Sequence, residues 1–189
     1  MALTITRNTT DLEQILALQQ CNLVKKLSPA ERQDQGFVTV EHTKEALQQM
    51  HDLAPHIIIK DNDRIVAYAL TMLRECREMI PELVSMFDSL DKLEWKGKPL
   101  NEYSFYVMGQ VCIDKAYRGQ GLFDKLYQHH KEVYSPRFDL LVTEIATRNT
   151  RSIRAHERVG FKTINVYKDH LDEWAVVVWD WKVNESLSH

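Results

Sequence analysis

The sequence predicts an α+β fold, a mixed central sheet flanked by helices. Two observations carry that prediction. Short apolar runs bounded by turn residues alternate with stretches of helical periodicity along the whole chain. Two pairs of those runs are separated by hairpin-type turns, which makes part of the sheet antiparallel.

Leu3-Thr4-Ile5-Thr6 alternates as a first strand. Thr10-Asp11-Leu12-Glu13 opens a helix, with Leu12, Ile15, Leu16 and Leu18 on its apolar face to about Cys21. Ser28-Pro29-Ala30-Glu31 reads as a cap and a first turn with Pro at the first helical position, and Gly36 keeps that helix short. Thr43 to Met50 forms another helix, ending before Pro55. His56–Lys60 and Arg64–Met72 are strands joined at Asp61-Asn62-Asp63, and the nearly continuous apolar run of the second implies burial on both faces. Residues 74–102 are polar, with a helix around Ile80–Phe87 and a loop at Lys96–Pro99. This is long for a connection between neighbouring strands, so we read it as an insertion in a single domain. Tyr103–Met108 leads into a central strand whose interior Gly109 marks a bulge or a close backbone approach. After the next helix, Asp139–Ile145 is a buried strand, and Asn149–Ser152 caps a short helix ending at Gly160. Phe161–Tyr167 and Trp174–Trp181 close the chain as a hairpin.

Bulk properties narrow the class. The 189 residues allow a sizeable core, and 44% hydrophobic with 27% charged residues is a globular balance. A formal net charge of −3 gives no footprint for nucleic acid or an acidic membrane surface. The three cysteines, Cys21, Cys76 and Cys112, are odd in number and widely spaced, without metal-ligand pairing, which suggests a reducing compartment. No charged start with an apolar run opens the sequence, and no stretch reaches the ~20 apolar residues of a membrane span. A cytoplasmic protein without nucleic-acid or membrane partners is expected.

The most informative stretch runs from Val111 to Phe123. A strand enters a polar turn, then Arg118-Gly119-Gln120-Gly121, and a helical pattern starts at once with Leu122, Phe123, Leu126, Tyr127 and Val133 near one face. Glycines at such a corner bare backbone N–H groups, and the helix start adds its own with the positive end of its dipole, which together suit a phosphate or pyrophosphate. Read alone, the stretch serves equally as a tight strand-to-helix turn with a solvated Arg118. It lacks the Gly-Lys-Ser/Thr of a P-loop and the third glycine of a dinucleotide fingerprint.

A second motif separates these readings. Tyr117-Arg118-Gly119-Gln120-Gly121, followed about thirty residues later by Asn149-x-x-Ser152-x-x-Ala155-His156-Glu157-x-x-Gly160-Phe161, resembles the GCN5-related N-acetyltransferase (GNAT) superfamily. Its first signature, Arg/Gln-x-x-Gly-x-Gly/Ala, matches at Arg118 and Gly121 but holds Phe123 in its last slot. The position where the family often carries a general-acid tyrosine holds His156. The resemblance covers the chain from residue 1 to about 181, apart from the insertion. It implies a mostly antiparallel sheet with splayed central strands and acetyl-coenzyme A bound between residues 107–114 and 140–146. Backbone groups along Val111, Cys112 and Ile113 would pair with the pantetheine arm as a strand would. Amides of Gly119, Gln120, Gly121, Leu122 and Phe123 would hold the pyrophosphate beside Arg118, and Asn149 and Ser152 would lie along the arm. No metal is implied.

Acyl transfer to an amine needs a neutral amine, a stabilised oxyanion and a proton for the leaving thiolate. A lysine-like amine has a pKa of ~10.4 and an α-amine ~8, so a base is required. Glu144, five residues before Asn149, is the candidate. In members resembling the ribosomal-protein N-terminal acetyltransferases a base holds that position. The bland alternative has Glu144 facing solvent or paired with Arg148. His156 is the candidate proton donor, against a packed histidine filling the tyrosine's volume. Cys112, in an apolar setting, reads as a small buried hydrophobe, and His129-His130 do not face one another on a helix. Trp174, Trp179 and Trp181 fill the core or a homodimer contact, with the core favoured. Glu75, Glu78 and Glu82 solvate the insertion or meet a cationic substrate. The expected function is therefore acetyl transfer from acetyl-coenzyme A to a primary amine of a small molecule or peptide, by direct attack in a ternary complex. The alternative is a non-catalytic acyl-coenzyme A sensing module on the same fold.

Overall fold

The computed structural model describes residues 1–29, 38, 40–170 and 172–182. In chain order its helices and strands are β1 (Ala2–Ile5), α1 (Thr9–Asn22), α2 (Lys44–Leu53), β2 (Ile57–Asp61), β3 (Arg64–Met72), α3 (Cys76–Met79), α4 (Val84–Leu90), β4 (Glu94–Trp95), β5 (Lys98–Pro99), β6 (Phe105–Ile113), α5 (Leu122–Tyr134), β7 (Leu140–Ala146), α6 (Thr150–Val159), β8 (Lys162–Lys168) and β9 (Glu173–Asp180). The principal sheet has the strand order β1-β2-β3-β6-β7-β9-β8. The β1–β2, β2–β3, β7–β9 and β8–β9 pairs are antiparallel and β6–β7 is parallel. The sheet is thus mixed and mostly antiparallel, as expected. The short helix expected to open at Ser28-Pro29 runs into residues 30–37, outside the described part.

Two compact units make up the chain: Met1–Leu73 with Met108–His130, and Arg74–Val107 with Lys131–His189. In the first, the α1 cap is Asn8 rather than Thr10, its Oδ1 accepting from Asp11 N at 3.1 Å. Thr43 caps α2 in the same way from Ala46 N. Asn62 turns the β2–β3 hairpin at φ 53°, a left-handed conformation that Asn tolerates. Gln14 of α1 grips that hairpin, donating to Asp63 O at 3.0 Å and accepting from Ile65 N at 2.7 Å. From Ile65 to Met72 every residue of β3 is buried, and because successive side chains point to opposite faces, both faces are covered. Leu12, Ile15 and Leu18 of α1 and Leu122, Leu126 and Tyr127 of α5 are part of that core. His130 joins them, its Nε2 3.3 Å from Ala69 O, and burial pushes its pKa down to about 3. Gly109 is the close approach its position in β6 suggested. A Cβ there would come within 3.0 Å of Met72 Cε.

In the second unit, residues 74–102 form two short helices and a two-residue hairpin, β4–β5, turned at Lys96 (φ 51°) and Gly97 (φ 75°). Arg77 binds Asp88 and Asp91, both at 2.8 Å, and Arg74 binds Asp91 at 2.7 Å. Trp95 Nε1 and Lys96 Nζ both donate to Asp180, fastening the small hairpin to the end of β9. Tyr106, Tyr134, Phe138 and Trp181 cluster in the core, with Tyr106 ring centroids 4.8–6.0 Å from the other three. Trp181 is buried, whereas Trp174 and Trp179 are half-buried.

Gly160 ends α6 at φ 126°, and a Cβ on it would stand 2.8 Å from Trp179 Nε1. That ring cannot give way freely, because it packs against Phe161 and Trp181 at 5.6 and 5.7 Å. Gly160→Ala therefore combines positive-φ strain with overpacking, at a cost of about 2 kcal/mol. A thermal melt should show Tm lowered by roughly 4–8 °C. An unchanged Tm would mean that the corner relaxes without cost.

Candidate active site

In the first unit the candidate residues lie along β6 and the turn after it. Gly109, Val111 and Ile113 are half-buried on one face of β6, while Gln110 and Cys112 are buried on the other. Tyr68 Oη donates to Gln110 Oε1 at 2.6 Å, and Gln110 Nε2 donates to Val40 O at 2.7 Å, so this inward face is tied to the chain ahead of α2. Burial pushes the Cys112 thiol up to about 12, which makes it a packed small side chain and no nucleophile.

Several contacts brace the turn after β6. Asp114 caps it, accepting from Ala116 N at 2.9 Å and from Arg64 Nη1 at 2.9 Å. Tyr117 Oη donates to Asp61 at 2.6 Å. Arg118 reaches back, Nε to Ile113 O at 3.2 Å and Nη2 to Asn22 Oδ1 at 2.6 Å, and Gln120 Nε2 reaches Ala116 O at 3.3 Å. These side chains fasten the turn, and Gly119 and Gly121 leave its backbone exposed. Gly119 and Gly121 both have positive φ, 74° and 73°, and a Cβ on either would meet nothing within 4 Å. The glycines are there for conformation, and the space beside them is open. With α5 starting at Leu122, this is a backbone cradle at a helix N-terminus, which fits a pyrophosphate. Phe123, in the slot where the signature has Gly or Ala, lies along α5 on Tyr127, with centroids 4.9 Å apart.

In the second unit the residues lie on β7, α6 and β8. Parallel pairing of β7 with β6 covers only Phe105–Val107 against Leu140–Val142, whereas β9 pairs with β7 along its full length. Glu144 is neither solvated nor paired with Arg148, which binds Asp172 instead at 2.6 Å. Its Oε2 accepts from Tyr167 Oη at 2.9 Å, while Oε1 is buried without a partner. Burial above all, and then the nearby charge of Asp169, push the carboxyl up to about 7 against the opposing pull of the Tyr167 hydrogen bond. Tyr167 is itself raised by burial and by the Glu144 charge, so it stays a protonated donor.

Asn149 is the N-cap of α6, its Oδ1 accepting from Ser152 N at 3.3 Å. His156 is buried, with Nδ1 2.7 Å from Ser152 O and 3.4 Å from Ser152 Oγ. A carbonyl only accepts, so Nδ1 carries the hydrogen of the neutral ring. Burial holds the ring neutral by lowering its pKa to about 4. In that tautomer Nε2 carries a lone pair and accepts. The proton donor expected at His156 is thus a neutral ring whose Nδ1 faces Ser152 O. Edge-on contact with Phe161, at 5.1 Å, adds a packing role.

Sequence reasoning missed two residues, Tyr167 and Asn22. Tyr167 carries no signal in a strand that alternates in the ordinary way. Asn22 has one in retrospect: it is a polar residue four positions after Leu18 on the buried face of α1, and its Nδ2 donates to Leu18 O at 2.9 Å. Among the described residues, no group of three His, Cys, Asp or Glu side chains could hold a metal ion, and no helix is long and apolar enough to cross a membrane.

Fold and motifs together define an acyl-transfer class of α+β enzyme. The chain belongs to the acetyltransferase (GNAT) family, whose model matches residues 21–161. A search of curated protein sequences finds no match. Among solved structures, the chain is similar to the ribosomal-protein-S18-alanine N-acetyltransferase of Escherichia coli, with a TM-score of 0.64 at 14% identity over 100% of this chain and 99% of that one. It is similar to Ard1 from Thermoplasma volcanium, with a TM-score of 0.64 at 12% identity, covering 95% and 98%. An N-acetyltransferase from Staphylococcus aureus Mu50 gives 0.59 at 18% identity, covering 95% and 99%. At these identities the likeness is one of fold.

Proposed function

We propose that the protein transfers an acetyl group from acetyl-coenzyme A to a primary amine of a small molecule or peptide, by direct attack with both substrates bound. One observation carries the reading: Glu144 is a half-buried carboxylate poised near neutrality, with Oε2 held by Tyr167 and Oε1 buried without a partner. A merely structural carboxylate in such a place would be fully hydrogen-bonded, because an unmet buried acceptor costs about 1–3 kcal/mol.

Acetyl-coenzyme A supplies the acyl group and a thiolate that can leave unassisted, since a thiol of pKa ~8.5 is an adequate leaving group. The chain's own residues do the rest. Backbone amides from Gly119 to Phe123 hold the pyrophosphate, and Arg118 keeps the corner shaped by its bonds to Ile113 O and Asn22. Glu144 Oε1 takes the proton of the attacking nitrogen as the nitrogen's electron pair becomes the new bond. A base near 7 lies about one pKa unit below an α-amine and more than three below a lysine-like amine, which favours acceptors of the α-amine kind.

The test combines binding and turnover. Acetyl-coenzyme A at one hundred times its Kd should stabilise the folded protein by about 2.7 kcal/mol, raising Tm by roughly 5–10 °C. A thiol-release assay across an amine panel should show turnover with at least one α-amine. No thermal shift at millimolar acetyl-coenzyme A removes the donor assignment. A shift without thiol release from any amine leaves a binding module.

A further inference from the structure

We infer that Tyr167 is a positioning residue for this transfer: its phenol holds Oε2 of Glu144, so that Oε1 is the atom presented to the amine. The inference rests on the proposed role of Glu144 and adds a residue to it.

The argument starts from strand register. Glu144 of β7 faces Val176 of β9, and Val176 faces Asn165 of β8. Tyr167, two residues beyond Asn165, lies on the same face of the sheet as Glu144. The two side chains meet diagonally across β9, two strand spacings or about 10 Å sideways and about 7 Å along the strand, which a tyrosine and a glutamate can span together. The meeting depends on an irregularity. In the β8–β9 ladder Thr163 faces Val177 and Asn165 faces Val176, so Ile164 is an extra residue in β8. Were Ile164 instead paired with Val176 in a regular ladder, Val166 and not Tyr167 would share the face of Glu144. A bulge that re-aims a side chain beside a functional carboxylate is a recurrent use of such insertions.

The hydrogen bond divides the carboxylate by function. Oε2 accepts from Tyr167 at 2.9 Å, and Oε1 is buried and has no partner. The hydrogen bond on Oε2 restrains the carboxylate's rotation and so narrows the directions its other lone pairs take. The remaining charge acting on the group is Asp169, in the turn after β8, while β9 places apolar Val176 opposite it. Asp172 and Glu173, next along the chain, are engaged by Arg148 and Thr147.

The experiment is Tyr167→Phe, read in two ways. NMR titration of Glu144 in protein labelled with 13C at the glutamate carboxyl should give a midpoint raised by about one pH unit, because a hydrogen bond favouring the charged form is lost. The acidic limb of kcat/KM should move up by the same amount. Its plateau should fall about tenfold or more, with KM for acetyl-coenzyme A unchanged. Site-specific 3-fluorotyrosine at position 167, a stronger donor of nearly the same shape, should move the midpoint and the limb down, which covers the case that the Phe variant does not fold. A Glu144 midpoint that ignores both substitutions overturns the inference, and the base reading then stands or falls on Glu144→Gln alone. A midpoint that moves while the kinetic limb stays fixed overturns the catalytic role of the pair.

Discussion

Gly121→Val should abolish the thermal stabilisation expected from acetyl-coenzyme A. Gly121 has φ 73°, where an L-residue pays about 1–2 kcal/mol and a β-branched one more. A valine relieves that strain by moving to negative φ, which turns the 120–122 peptides and takes their N–H groups out of the cradle. Each charge-assisted hydrogen bond so lost is worth about 1.5–3 kcal/mol, so loss of two weakens binding at least 100-fold. The free protein should lose little beyond the conformational cost, because a side chain at Gly121 meets nothing within 4 Å. Comparing melts of the variant with and without the ligand checks this. A normal ligand shift on Gly121→Val would show that the corner is not the phosphate site.

The second large effect is on turnover. Glu144→Gln should lower kcat/KM by about 10²–10⁴, the usual worth of a general base, and should erase an acidic limb with a midpoint near 7. The deficit should be largest between that midpoint and the pKa of the acceptor amine. Below it the native carboxyl is already protonated, and above it the amine needs no base. Stability should move the other way. The folded carboxyl titrates at about 7 against an ordinary 4.5, so the native state binds more protons than the unfolded chain, and the protein loses stability as pH rises across that interval. At pH 8 a neutral glutamine relieves an unmet buried charge, and the variant should melt higher by about 2 kcal/mol or roughly 4–8 °C. A variant both slower and less stable, with its acidic limb intact, would mark Glu144 as structural.

Much of this was legible in the sequence, for local reasons. The β2–β3 hairpin follows from Asp61-Asn62-Asp63 between apolar runs, and the tight corner between β6 and α5 from two glycines where a strand becomes a helix. Asn149 and Gly160 bracket α6 with a cap at each end, as their residue types require. Choosing Asn8 over Thr10 as the α1 cap was beyond reach, since both fit the pattern and only the Asp11 N–H decides. What was hidden was non-local. Arg118 and Asn22 are 96 residues apart, and the solvated arginine of the simplest reading is in fact a brace between α1 and the corner. Tyr167 and Glu144 meet only because β9 lies between their strands and Ile164 is extra, and neither strand order nor a one-residue bulge is written in hydrophobic periodicity. The tautomer of His156 was hidden too, because it depends on the carbonyl of Ser152 one turn earlier.

The place of β9 between β7 and β8 also dictates when the enzyme can be completed. β7 pairs with β6 through three residues and with β9 through seven, yet β9 is the last strand made. A nascent chain that has released residues up to His130 holds every residue of the unit carrying the anion corner. The base strand must wait for roughly 50 more residues, some 3–10 s at ordinary synthesis rates. During that interval the edge of β7 that β9 will cover, with Glu144 on its strand, lacks its partner and is open to non-native pairing. The unit that carries the glycine corner is therefore complete in sequence before the strand that carries Glu144 has met its principal partner.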